Sequence, residues 1–252
     1  IHYYFFVLLL LIPISILIGP AVSLMNITLV SFSFVIFFLK KNFLLIIKNR
    51  TIIILIVLYC YLILNSFISI NPEIGFSRNF GFLRYLLLFI AINFFFLKLK
   101  NFETIFNFWI ILFIIFFFDL IYEFYNGKNI LGFESANYKR LVSFFKDESV
   151  VGAYLNGFIF IIIGFLFQNL EKRKKFEKFL IFLFVVIAAG CMLLTAERSN
   201  TFKLMIWLII FFYLNDKIKL RQKLLFLTSM IIFFSIVVLT LFSDQKKDAF
   251  KH

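Results

Sequence analysis

Nine apolar blocks divide this chain, at about residues 3–18, 22–39, 51–69, 80–97, 104–122, 150–168, 179–195, 201–214 and 224–242. Most run close to 20 residues, the length of helix that spans a hydrocarbon core about 30 Å thick. Inside a membrane every backbone N–H and C=O must find a partner within the protein, which leaves helices or closed barrels. A barrel needs segments of about ten residues alternating apolar with polar, and nothing in this chain alternates that way. The blocks therefore predict an all-α protein, a polytopic transmembrane helical bundle of about nine helices. Composition agrees, with 63% hydrophobic and 15% charged residues, against about 45–50% and about 25% in soluble domains.

The charges follow the blocks. The connections after blocks two, four, six and eight hold Lys40, Lys41, Lys48 and Arg50; Lys98 and Lys100; Lys172, Arg173, Lys174, Lys175 and Lys178; and Lys217, Lys219, Arg221 and Lys223. These are fifteen of the 26 basic residues. By the positive-inside rule these four connections, and the N-terminus with them, are cytoplasmic. Topology thus accounts for the net charge of +13, and membrane lipids rather than nucleic acid are the expected partners. Cys60 and Cys191 fall inside apolar blocks without metal or redox spacing and read as packing residues. The two histidines, His2 and His252, stand at opposite ends. A Gly19–Pro20 turn is expected to fold the first two blocks into a hairpin. No cleavable signal peptide is evident. The chain starts at Ile1 and stops in the polar stretch SDQKKDAFKH. It is expected to be a fragment of a longer protein: one transmembrane domain over 1–252, incomplete at the C-terminus, with an external loop at 123–149.

The other side of the predicted bundle carries four of the seven arginines, Arg78, Arg84, Arg140 and Arg198. Lysine suffices to anchor a loop against anionic lipid, whereas the guanidinium fork suits phosphate or carboxylate. The plainer account is that these arginines are solvated loop residues. The long loop interleaves aromatic and apolar residues with Asp119, Glu123, Glu134, Lys139, Arg140, Asp147 and Glu148, a composition that suits a folded surface loop better than a linker. Asp147 and Glu148 precede block six, where carboxylates favour a helix N-terminus. The phrase LLTAERSN, residues 193–200, sets Glu197 and Arg198 side by side between two apolar blocks. Block eight is too short to span unless extended back toward Thr195, which brings these charges to the helix entrance at the outer boundary. There they form either a local ion pair or part of an anion site.

Two stretches resemble the O-antigen ligase and O-antigen polymerase superfamily. The first is Asp119, Tyr122, Gly127, Leu131–Gly132, Arg140, Phe145, Asp147–Glu148, Gly152 and Tyr154–Leu155; the second is Leu194–Thr195 with Arg198–Ser199. The first hairpin and the Arg84–Tyr85 pair are also similar. The resemblance implies a GT-C-like glycosyltransferase in the bacterial inner membrane, multi-pass. It would move a glycan from undecaprenyl diphosphate on the periplasmic face to lipid A core or to another carrier-linked glycan, in lipopolysaccharide or surface-polysaccharide biosynthesis. It implies no cofactor and no metal, outer arginines that hold the diphosphate, and a histidine base in a large outer loop.

By position Arg140 and Arg198 are the first candidates for binding this substrate, with Arg84 and Arg78 behind them. Glu148 is expected to orient an arginine or to bind sugar hydroxyls. The chain has AER where the family has GSR or GER, and no histidine follows in a completed outer loop. The catalytic base is therefore unassigned and expected past His252. The alternative is a transporter or flippase for a lipid-linked or anionic solute, which would place charges and helix breaks near the midplane. Here only Pro13, Pro20 and Pro72 occur, and the polar residues cluster on one face.

Overall fold

A computed structural model describes residues 2–36, 49–98, 102–134, 140–146, 148, 150–168, 170–215 and eight positions between 218 and 235, side chains 95–98 excepted. All regular structure among the described residues is helical: α1 His2–Leu10, α2 Ile12–Ile18, α3 Pro20–Phe34, α4 Arg50–Ile68, α5 Pro72–Lys98, α6 Phe102–Asn126, α7 Val151–Gln168, α8 Lys175–Leu194 and α9 Arg198–Leu214, with short 3-10 turns at Ser143–Phe145 and Leu170–Lys172. The first eight apolar blocks each correspond to helix. Block nine falls mostly outside the described residues.

Five helices are long and apolar enough to cross a membrane: α4, α5 over Pro72–Phe94, α6, α7 and α8. Their surfaces agree. On α4, Ile54, Val57, Tyr61 and Leu64 are all exposed at spacings that place them on one face. So continuous an apolar stripe belongs against lipid rather than water. Among the described residues α3 has 15 residues and α9 has 17, about 25 Å for the longer one.

The chain forms two compact units, Ile1–Phe108 and Trp109–His252. In the first, Pro13 enters the opening turn of α2, where it lacks an N–H and interrupts the helix begun by α1. Asn26 of α3 repairs the neighbourhood of that break, its Nδ2 donating to Leu8 O at 3.2 Å and to Ser15 Oγ at 3.3 Å. Gly19 turns the chain at φ 146°, a conformation that strains any residue with a Cβ, and Pro20 then opens α3. The expected hairpin is present. Helices α4 and α5 form a second hairpin, in which Asn79 Nδ2 donates to Leu62 O at 2.8 Å and to Ser66 Oγ at 2.6 Å. Gly75 packs close against the end of α4, where a Cβ on it would stand 3.0 Å from Ser69 Oγ and 3.4 Å from Ser66 Cα. Small residues and neutral hydrogen bonds are how helices associate where lipid removes the hydrophobic drive.

The second unit is held by aromatic rings. Phe113 of α6 stacks on Tyr154 of α7 with centroids 5.3 Å apart, and Trp109 meets Phe158 edge-on at 5.4 Å, so these helices run antiparallel. Phe167 near the end of α7 contacts Phe182 of α8 and Phe212 of α9 at 5.6 Å. Each such pair adds about 0.5–1.5 kcal/mol beyond the area it buries. This pairing gathers the C-terminal ends of α6 and α8 with the N-terminal ends of α7 and α9.

Candidate functional site

That gathered end carries two carboxylate-held junctions. Asp119 and Glu123 lie one turn apart on α6, and both are essentially buried. Buried carboxylates need donors, and these find them in the loop that follows. Asp119 Oδ1 accepts from Ile130 N at 2.9 Å, and its Oδ2 accepts from Ser143 Oγ. The Glu123 carboxylate accepts from Val142 N at 2.9 Å and from Ser143 N at 2.7 Å. Asn129 completes the lock: Nδ2 donates to Ser143 O at 2.6 Å, and Oδ1 accepts from Phe133 N at 2.7 Å. Ser143 is thus engaged through its N–H, hydroxyl and carbonyl, and it adopts a left-handed φ of 47°. From this hub Phe145 turns inward, 5.3 Å from the Tyr154 ring. The described part of the loop is folded onto its own helices, as its composition leads one to expect. Helix α6 runs to Asn126, so the irregular connection opens at Gly127.

The second junction is LLTAERSN itself. Helix α8 ends at Leu194, Ala196 reverses the chain at φ 57°, and α9 starts at Arg198 with Glu197 in its N-cap position. The left-handed region costs a non-glycine residue roughly 1–2 kcal/mol. Glu197 forms no ion pair with Arg198 among the described residues. Its Oε1 accepts from Gly152 N, 2.8 Å away at the opening of α7, and its Oε2 accepts from Asn200 Nδ2 at 2.5 Å. Glu197 therefore supplies from across the unit the carboxylate that α7 needs at its free N–H groups. Asn156 Nδ2 donates to Asn200 O at 3.0 Å, a second tie between α7 and α9.

The proposed substrate residues distribute as follows. Arg140 is exposed, two residues before the segment that Glu123 holds; Glu148 is exposed ahead of α7; Arg198 is the exposed first residue of α9. These three stand at one end of the second unit. Arg78 and Arg84 belong to the first unit. Arg78 is exposed, whereas Arg84 is half-buried, with its guanidinium 4.9 Å from the Tyr85 ring centroid and its Nη2 donating to Tyr85 Oη at 3.4 Å. Arg84 Nε is buried and has no hydrogen-bond partner among the described residues. Asp147 lies outside the described residues.

The chain matches no protein-family model, no curated protein and no solved structure. Its site is read from its own chemistry. What the spacing of the sequence did not reveal is the positioning set, Asp119, Glu123, Asn129, Ser143 and Glu197. One signal for it is visible in the sequence: two carboxylates four apart at the end of an apolar run, where a helix face would otherwise bury uncompensated charge.

Proposed function

We propose that this chain is a glycosyltransferase of the O-antigen ligase and polymerase kind, a nine-span protein of a bacterial inner membrane with its N-terminus in the cytoplasm. Its donor is a glycan carried on undecaprenyl diphosphate, and its acceptor is lipid A core or another carrier-linked glycan. The observation that carries the reading is the gathering of Arg140, Glu148 and Arg198 at one end of the second unit. The acceptor sites of Glu197 are already taken by Gly152 and Asn200, so Arg198 stands exposed beside a carboxylate committed elsewhere.

The chemistry asks for such an arrangement. As the bond between the anomeric carbon and the carrier oxygen breaks, the diphosphate takes the electron pair. Fixed guanidinium groups stabilise that growing charge. The acceptor hydroxyl forms the new bond to the anomeric carbon and passes its proton to a base that is unassigned. Glu148 orients an arginine or binds sugar hydroxyls.

The test is transfer of carrier-linked glycan by membranes bearing the protein. Arg140→Ala and Arg198→Ala should each lower transfer by about a hundredfold or more while insertion stays normal. Transfer within a few-fold of the parent would remove both residues from substrate binding. The interrupted α1–α2 helix, with Asn26 buried beside it, favours the transporter alternative. Movement of a lipid-linked solute into vesicles that hold no acceptor would select it.

A further inference from the structure

The opposite end of the second unit carries a different chemistry. Between Lys172 and Lys178 five cations fall within seven residues, against Glu171 and Glu177. Arg173 Nη1 lies 3.9 Å from Glu177 Oε2, and Lys178 Nζ donates to Glu171 O at 3.2 Å. Lys172, Lys174 and Lys175 are exposed, and their ammonium groups have no hydrogen-bond or ion-pair partner among the described residues. They sit in or beside the short connection between Gln168 and Lys175, the facing ends of two helices able to cross a membrane. The buried Leu170 ties that connection down. If α7 and α8 cross a bilayer, this connection lies at headgroup level, where each lysine near an anionic surface strengthens attachment several-fold.

A second feature starts at the same place. Phe176, Leu180, Leu183 and Ile187 of α8 are all exposed, at positions i, i+4, i+7 and i+11 of one helix face. The other face, with Ile181, Phe184, Val185 and Ala188, is buried. From Phe176 to Ile187 the helix rises about 16 Å, close to the depth of one leaflet of hydrocarbon. Cations at the level of a phosphate, continuous with an apolar track one leaflet deep, have the shape and polarity of a phospholipid.

We infer that the α7–α8 turn binds an anionic diacyl phospholipid, with its phosphate among Lys172, Lys174 and Lys175 and an acyl chain along the Phe176–Ile187 stripe. This site is independent of the glycosyltransferase reading. The phosphate also offsets a local conflict, because cations at the start of α8 oppose the positive end of its dipole.

Native mass spectrometry of the full chain in detergent tests the site, with phosphatidylglycerol and phosphatidylcholine of identical chains as probes. Phosphatidylglycerol should be retained about tenfold better. Lys174→Glu with Lys175→Glu should erase that preference. Acids in the first turn of α8 favour the helix, so circular dichroism and melting temperature should hold or rise while the lipid is lost. Lys146→Gln, a cation at the other end of the unit, should leave the preference intact, and Leu180→Asn with Leu183→Asn should lower retention. Equal retention of the two lipids would overturn the inference, as would a preference that survives Lys174→Glu with Lys175→Glu. Displacement of the lipid by equimolar inorganic phosphate would overturn it too, by showing a site for free phosphate.

Discussion

The α4–α5 hairpin and the α7–α9 junction each set a polar contact between apolar helices, and they do so with opposite chemistry. In the hairpin the polar group is a donor: Asn79 Nδ2 reaches Leu62 O. At the junction it is an acceptor: Glu197 Oε1 takes the N–H of Gly152. The backbone decides which is needed. Within a helix every N–H is already bonded to the carbonyl four residues back, and only the second lone pair of a carbonyl remains to be used. At a helix N-terminus the N–H groups are the unsatisfied ones. Asn26 to Leu8 O and Ser31 Oγ to Arg84 O follow the first rule. Asp119 and Glu123 extend the same chemistry to the loop, whose N–H groups likewise lack a helical carbonyl partner. The two units also differ in what surrounds these contacts, for 11% of the α4 span is buried against 56% of α7.

Exchanging the chemistry breaks the comparison most severely. Asn79→Asp removes the donor from Leu62 O and puts a carboxylate where the backbone offers only acceptors. A loss of about 3 kcal/mol in unfolding free energy is expected, whereas Asn79→Ala should lose only about 1 kcal/mol. Equal losses for the two variants would show that the missing donor is the whole effect and that the carboxylate adds no penalty of its own.

Removing the acceptor at the junction has a smaller, more local effect. Glu197→Ala leaves Gly152 N and Asn200 Nδ2 without their partner and withdraws a carboxylate from the α7 dipole. About 2 kcal/mol of local stability should go, read as roughly thirtyfold faster hydrogen exchange in the first turn of α7. The α4–α5 hairpin should be unchanged. Loss of protection across the whole chain would make Glu197 a global anchor rather than a cap.

These pairings also mark how far the sequence could be read. The apolar blocks locate the helices because hydrophobic length is a local property, and Gly19–Pro20 marks its own turn because both residues constrain φ locally. The exposed ends that carry Arg140, Glu148 and Arg198 follow from alternation of the blocks. The capping of α7 does not. The sequence points to the neighbouring Glu148, and to Asp147, which lies outside the described residues, while the structure also brings Glu197 to Gly152 from 45 residues downstream. Likewise Asp119 and Glu123 find their partners 11 to 24 residues downstream in irregular chain. Such partners are chosen by tertiary packing, and no spacing rule reaches them. The Glu197–Arg198 neighbourhood in sequence suggested an ion pair, and the free N–H of Gly152 takes the carboxylate instead.

The smallest effect is the most discriminating. At Gly152 a missing side chain admits the Glu197 carboxylate, for a Cβ there would stand 2.7 Å from Glu197 Oε2, 2.9 Å from its Cδ and 3.0 Å from Asn200 Cβ. Gly152→Ala therefore sets two terms against each other. Alanine favours a helix by up to about 1 kcal/mol over glycine, less in a first turn than in the interior, while displacing a hydrogen-bonded carboxylate and crowding Asn200 opposes it by about 1–3 kcal/mol. The net expectation is a loss of about 1 kcal/mol. In a Glu197→Ala background the carboxylate is gone, only the Asn200 contact remains, and the same substitution should become neutral or stabilising. That change of sign is a coupling between residues 152 and 197, which a double-mutant cycle measures directly. Additive effects would mean that Glu197 approaches α7 without needing the space that Gly152 leaves.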